Sequence, residues 1–187
     1  EKREAAAPVL AKEVKSMLVE LGMPSAQLKV QIEKMEEPRE SGFDKVTFLF
    51  TANKGADLQP LNKVASGGEL SRLMLSLKAM LSKTASLPTI IFDEIDTGIS
   101  GDIAAKAGAI MHRMGAKMQV LTITHLPQVA SKGDAHLFVY KEDVNKKTVS
   151  CIKTLTDKQR IEEIAKMLSA GKPGEAAREN AKQLLAN

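Results

Sequence analysis

The stretch Thr89-Ile90-Ile91-Phe92-Asp93-Glu94-Ile95-Asp96-Thr97-Gly98-Ile99-Ser100-Gly101 decides the fold. Its opening is a short apolar run of strand type, closed by two adjacent carboxylates. A polar loop punctuated by Gly98 and Gly101 follows, and Ile103 to Met114 then repeats apolar residues at helical spacing. A second apolar run, Val120 to Ile123, comes next. Two continuously apolar strands separated by a helix specify a parallel sheet covered on both faces, and so an α/β chain.

Upstream of this unit, Leu70, Leu73, Met74, Leu77 and Leu81 mark the buried stripe of another helix. Leu28, Val30 and Ile32 alternate with polar residues, as do Val46, Phe48 and Phe50, which predicts two strands. Pro38-Arg39-Glu40-Ser41-Gly42 reads as the connection of their hairpin, and Asn53 to Lys63 as a loop. From Glu4 to Leu21 the positions Leu10, Val14, Met17, Leu18 and Leu21 give an amphipathic helix that Gly22 stops. Downstream, 137–140 and 148–152 form a closing hairpin joined across 143–147. Thr156 with Gln159 fits a capping box for the helix of Ile161, Ile164 and Leu168, and a last helix runs from Glu175 to Leu185.

Composition bounds what this scaffold does. With 187 residues, 43% apolar and 27% charged, the chain has the balance of one globular domain rather than a disordered or fibrous one. Its apolar runs are too short to span a membrane. No signal peptide opens it, the single Cys151 forms no internal disulfide, and the three histidines lack ligand spacing, so a cytoplasmic location without membrane partner is expected. The net charge of +4 comes from residues 101–187, where 14 Lys and Arg meet 9 Asp and Glu; a solvated face is the commoner cause of such an excess. Aromatics at 3% argue against a base-stacking platform.

Three segments carry chemistry. In Val64-Ala65-Ser66-Gly67-Gly68-Glu69-Leu70-Ser71-Arg72 a glycine pair enters a helix. A capping box between Ser66 and Glu69 is the structural reading, but each glycine costs up to about 1 kcal/mol in a helix relative to alanine. What the pair provides is a bare helix N-terminus that a phosphate can approach. At the end of the apolar strand, Asp93 can hold a magnesium ion and Glu94 can orient or deprotonate a water; a solvated turn is the competing reading. In Thr122-Ile123-Thr124-His125-Leu126-Pro127 a strand delivers one histidine at its tip, suited to a terminal phosphate or to a structural hydrogen bond.

These segments, in this order, resemble the carboxyl-terminal part of an ABC-type ATPase head, a fold of the P-loop nucleoside triphosphate hydrolase type. Ser66-Gly67-Gly68-Glu69 looks like the signature motif, Ile90 to Glu94 like the Walker B strand, Asp96 to Ser100 like the D-loop and His125 like the switch histidine. The wording of residues 63–72, 92–101 and 123–130 is similar to the RecN family of bacterial DNA repair proteins, which are SMC-like. The resemblance implies recombinational repair of double-strand breaks within the SOS response to DNA damage, in the cytoplasm at the nucleoid, with ATP and Mg2+ as cofactors and DNA as partner. It implies that Asp93 assists magnesium, Glu94 is the catalytic base and His125 contacts the γ-phosphate. Asp96 would link the two sites of a head dimer, and Ser66, Gly67, Gly68 and Glu69 would meet the nucleotide of the opposite head.

One departure qualifies this. The P-loop, Gly-x-x-x-x-Gly-Lys-Ser/Thr, is absent. In the resembled family it lies in an amino-terminal lobe, so residues 1–22 are expected to be the end of a coiled-coil helix and 23–187 the carboxyl-terminal lobe of the head. That lobe combines a parallel sheet core flanked by helices with antiparallel hairpins at its edges, and alone it is expected to be inactive. Two other readings remain: a DNA-binding or head-dimerisation module without catalysis, using Lys146, Lys147 and Lys153, and a hydrolase using Ser100, His125 and Asp93, which the lack of a nucleophile elbow disfavours.

Overall fold

The structure is a computed structural model that describes residues 1–40, 42–64, 67–84, 87–93, 95–144, 147–169 and 171–186. It divides into two compact units, Glu1–Thr122 and Ile123–Asn187.

The first unit opens with helix α1, Lys2–Glu20, followed by strands β1, Gln27–Arg39, and β2, Gly42–Thr51, paired antiparallel with Leu28 opposite Phe50 and Val30 opposite Phe48. A short strand β3, Gln59–Pro60, adds to β2 and leads through a 3-10 turn at Leu61–Lys63 to helix α2, Gly67–Thr84. Val14 and Leu18 of α1, Leu28, Phe50 and Leu73 share one core. Burying a side chain of this size contributes about 1.5 to 3 kcal/mol. The exposed ion pairs that also reach α1, Arg3 to Asp44, Lys83 to Glu13 and Arg113 to Glu20, contribute about 0 to 1 kcal/mol each. Packing therefore holds α1 in place.

Strand β4, Thr89–Asp93, helix α3, Gly101–Gly115, and strand β5, Gln119–Ile123, complete the βαβ arrangement that the sequence specifies. The Gln119 N–H donates to the carbonyl of Pro88 at 2.9 Å, so the beginnings of β4 and β5 lie together and the strands run parallel. Phe92 is buried, with the Lys78 ammonium of α2 5.1 Å from its ring, and the Thr122 hydroxyl donates to the Met111 sulfur of α3. The opposite face differs from expectation. Ile91 is 58% exposed and Leu121 38%, so α2 and α3 cover one face only. The apolar run predicts burial on both faces, but among the described residues one face stays exposed.

In the second unit, helix α4, Pro127–Ala130, precedes a hairpin of strands β6, Leu137–Val144, and β7, Lys147–Thr154, in regular antiparallel register. Phe138 and Tyr140 stack with centroids 5.9 Å apart, and the Lys153 ammonium lies over both rings. Helices α5, Asp157–Met167, and α6, Glu175–Ala186, pack through Ile164, Ala165 and Ala181. The capping box at α5 is present: the Gln159 N–H reaches the Thr156 hydroxyl, and the Gln159 side chain accepts from the Thr156 N–H at 2.9 Å.

Three boundaries differ from the sequence reading. Strand β1 runs through Pro38 to Arg39, leaving a connection shorter than 38–42. Pro38 is tolerated because β1 is an edge strand whose pairing is irregular between Lys34 and Arg39. The segment 53–63 is not all loop, since β3 and the 3-10 turn lie in it. The strands of the last hairpin extend to Val144 and Lys147, because backbone pairing continues where polar side chains hide the strand pattern.

Candidate functional site

Gly67, Gly68 and Glu69 form the first turn of α2, as a phosphate-binding helix entrance requires. A β-carbon on Gly67 would meet nothing within 4 Å, so a ligand oxygen has room to approach this backbone. Ser66, and with it the capping box expected with Glu69, lies outside the described residues.

Asp93 is the last residue of β4 and is exposed. It shares the side-chain parity of Ile91, so the carboxylate belongs to the uncovered face of the sheet. Glu94 lies outside the described residues. Among the described residues there is no cluster of three or more His, Cys, Asp or Glu that could hold a metal ion.

Asp96 is 1% exposed, the one acidic side chain among the buried residues described. Its carbonyl accepts from the Ile99 N–H at 3.3 Å, closing the turn that follows β4. The next glycine, Gly98, has φ +78°, a conformation that side chains with a β-carbon rarely adopt. This places its backbone on Gly68: a β-carbon on Gly68 would lie 3.5 Å from the carbonyl oxygens of both Gly98 and Thr97. The structure thus brings the glycine pair and the loop after the carboxylate strand into direct contact.

His125 belongs to the second unit, where its side chain is exposed. It sits in the bend after β5, which the Leu126 N–H braces by donating to the Thr124 hydroxyl at 2.9 Å. Of the lysines considered for DNA, Lys147 is exposed on β7 and Lys153 is engaged over the two rings, while Lys146 lies outside the described residues.

Arg72, one turn into α2, donates through Nε to the Gly68 carbonyl at 3.0 Å and through Nη1 to the Leu21 carbonyl at 3.3 Å. With Glu69 it lines a cavity of about 230 Å³ bordered by residues 22–25 and 52–54. Only its spacing of four from Gly68 was visible in the sequence.

With this geometry in place, comparison with known proteins is decisive for the sequence. The chain is 42% identical over 177 residues to the DNA repair protein RecN of Vibrio cholerae, and 42% over 184 residues to that of Deinococcus radiodurans. The chain matches the carboxyl-terminal region of RecN. RecN of Bacillus subtilis is 37% identical over 185 residues. These alignments cover 94%, 98% and 93% of this chain and 32% of each RecN relative, so the chain spans about a third of their length. No protein-family model matches.

The fold is shown by solved structures at low identity. The Smc head domain with a coiled coil and joint from Pyrococcus yayanosii superposes with a TM-score of 0.67 at 17% identity, over 87% of this chain and 29% of that one. The SmcHead bound to the C-winged helix domain of ScpA gives 0.63 at 18% identity, over 83% and 44%. The RecN-like chain therefore has the fold of an SMC ABC ATPase head lobe, mixed α/β with a parallel sheet and antiparallel hairpins. Among its described residues no helix is long and apolar enough to cross a membrane.

Proposed function

We propose that this chain is the carboxyl-terminal part of a DNA repair ATPase head, one that hydrolyses ATP when an amino-terminal lobe supplies the P-loop and a second head closes on it. The observation that carries this reading is the contact of Gly68 with Gly98, which joins a bare helix entrance to the loop behind a strand ending at Asp93. The exposed Ile91 and Leu121 support it, since an apolar sheet face on the side of Asp93 is an unfinished core.

ATP bound with magnesium supplies the phosphoryl group and a charge that neutralises its oxygens. The chain's own residues act around it. Ser66, Gly67 and Gly68 direct N–H groups and the positive end of α2 at a phosphate held by the opposite head. Asp93 would give one ligand to that magnesium ion. Glu94 takes the proton of the attacking water. His125 donates to the terminal phosphate, and Asp96, from inside its turn, shapes the loop through which the two sites are linked. Hydrolysis then depends on head association, so ATP closes a DNA-bound assembly and its loss opens it. The place of action is the cytoplasm, at the nucleoid.

The test uses the full-length protein carrying Glu94→Gln or Ser66→Arg. Glu94→Gln removes the base and keeps the phosphate contacts, so ATP should trap head dimers. Ser66→Arg should bind nucleotide in each head and remain monomeric, because its side chain blocks the glycine pair. Gel filtration with ATP separates the two, and identical elution overturns the assignment of the glycine pair.

A further inference from the structure

The last turn of α1 ends on backbone groups that mostly cap one another: the N–H groups of Leu21, Gly22 and Met23 donate to the carbonyls of Met17, Val19 and Leu18 at 2.9, 3.1 and 2.8 Å. The Leu21 carbonyl is taken by Arg72 at 3.3 Å. From the same guanidinium, Nε holds the carbonyl of Gly68 at 3.0 Å. One planar fork therefore spans the end of α1 and the glycine pair, reaching from Arg72 to a carbonyl 51 residues away and to one four residues away.

A second contact closes the circuit from the other side. Gly22 has φ +78°, and a β-carbon there would lie 2.6 Å from Cδ1 of Ile103, in the first turn of α3. Helix α3 begins at Gly101, three residues after the Gly98 that rests on Gly68. The end of α1 is thus seated against α2, whose entrance carries the glycine pair, and against α3, which follows the loop that rests on that pair. Displacing it by an ångström must shift one entrance or break the Arg72 hydrogen bonds, because close-packed elements do not deform continuously.

The electrostatics argue against a casual surface contact. Drawn back toward Gly68, the guanidinium brings positive charge to the helix end that already carries the positive pole of α2, an arrangement unfavourable for stability. The negative end of α1 compensates it through the Leu21 carbonyl. The combined positive potential suits an anion at the glycine pair.

We propose that Arg72 is a positioning residue that fixes the glycine pair to the end of α1, so that the seating of α1 and phosphate contact at Gly67 and Gly68 are coupled. This rests on the reading of the glycine pair as a phosphate contact. Because that phosphate belongs to the opposite head's nucleotide, loss of Arg72 should leave nucleotide affinity intact and impair closure.

The experiment compares the full-length wild type with Arg72→Met and Arg72→Lys in KM, kcat, ATP-dependent dimerisation, thermal melting and amide hydrogen exchange. Arg72→Met should keep KM within about twofold and lower kcat ~10- to ~100-fold, the loss expected from misplacing a preorganised group by about an ångström. Arg72→Lys, whose ammonium cannot span both carbonyls, should recover only part of the rate. In the wild type ATP should slow exchange at residues 18–23, and in Arg72→Met it should not. A lower melting temperature with unchanged kcat per folded molecule, or a rise in KM with kcat preserved, overturns the proposal. If Arg72→Met fails to fold, Arg72→Lys decides, and wild-type kcat with wild-type exchange protection overturns it. Failure of the wild type to dimerise with ATP would instead overturn the underlying phosphate reading.

Discussion

Gly68 and Gly98 meet backbone to backbone: a β-carbon on Gly98 would stand 3.5 Å from the α-carbon of Gly68, and one on Gly68 equally close to the Gly98 carbonyl. Two loops separated by a whole helix and strand thereby form one surface. The turn at 95–98 and the entrance of α2 are therefore in contact.

Gly67 distinguishes a structural from a functional glycine. Its backbone is helical and its surroundings are open, so Gly67→Ala should raise stability by about 0.4 to 1 kcal/mol through the unfolded chain. If the bare entrance serves a phosphate, the added methyl should lower hydrolysis by the full-length protein roughly 100-fold, at the lower end of what one displaced donor costs. Melting curves and turnover, measured on the same preparation, check both halves. A stabilised variant with full activity removes Gly67 from the site.

His125 is exposed, so replacing it removes little packing. His125→Ala should move the melting temperature by no more than a surface substitution does, under about 0.5 kcal/mol. Hydrolysis by the full-length protein should fall ~10- to ~1000-fold, as when one preorganised hydrogen bond to developing charge is lost. A large thermal loss with unchanged turnover per folded molecule would make the residue structural.

His136 predicts a pH dependence away from the site. Burial holds its pKa below the ordinary 6.5, the Arg160 guanidinium lowers it further, and the Glu163 carboxylate partly opposes both. The folded chain thus binds this proton less readily than the unfolded chain, so the contribution is fully present above about pH 6.5 and lost as the pH falls below it. His136→Gln, which does not titrate, should flatten the fall in melting temperature between about pH 7.5 and 5.5. Equal slopes for wild type and variant would show that other groups govern the acid limb.

Much of this was legible locally. The Thr156 and Gln159 capping box needs only residues three apart, and the structure contains it with both hydrogen bonds. The apolar run at 89–92 and the helical spacing of 103–114 became β4 and α3 because each is set by a periodicity within one element. The boundaries at Arg39 and Gly42 were less legible, since pairing to a partner strand carries a polar sequence on as strand.

What the sequence by itself determined is the order of elements and the residue types at their ends: glycines at the entrance of α2, the Asp93 carboxylate at the end of β4 and a histidine after β5. Only the tertiary structure decided which of these ends meet. Apolar patterning says that a residue is to be buried without saying against what, so the same Ile-Ile-Phe run gives a buried Phe92 and an exposed Ile91. The same holds for polar ends. The Leu21 carbonyl needs a donor whatever the fold, but that the donor is Arg72 follows only from the packing that seats α1 against α2.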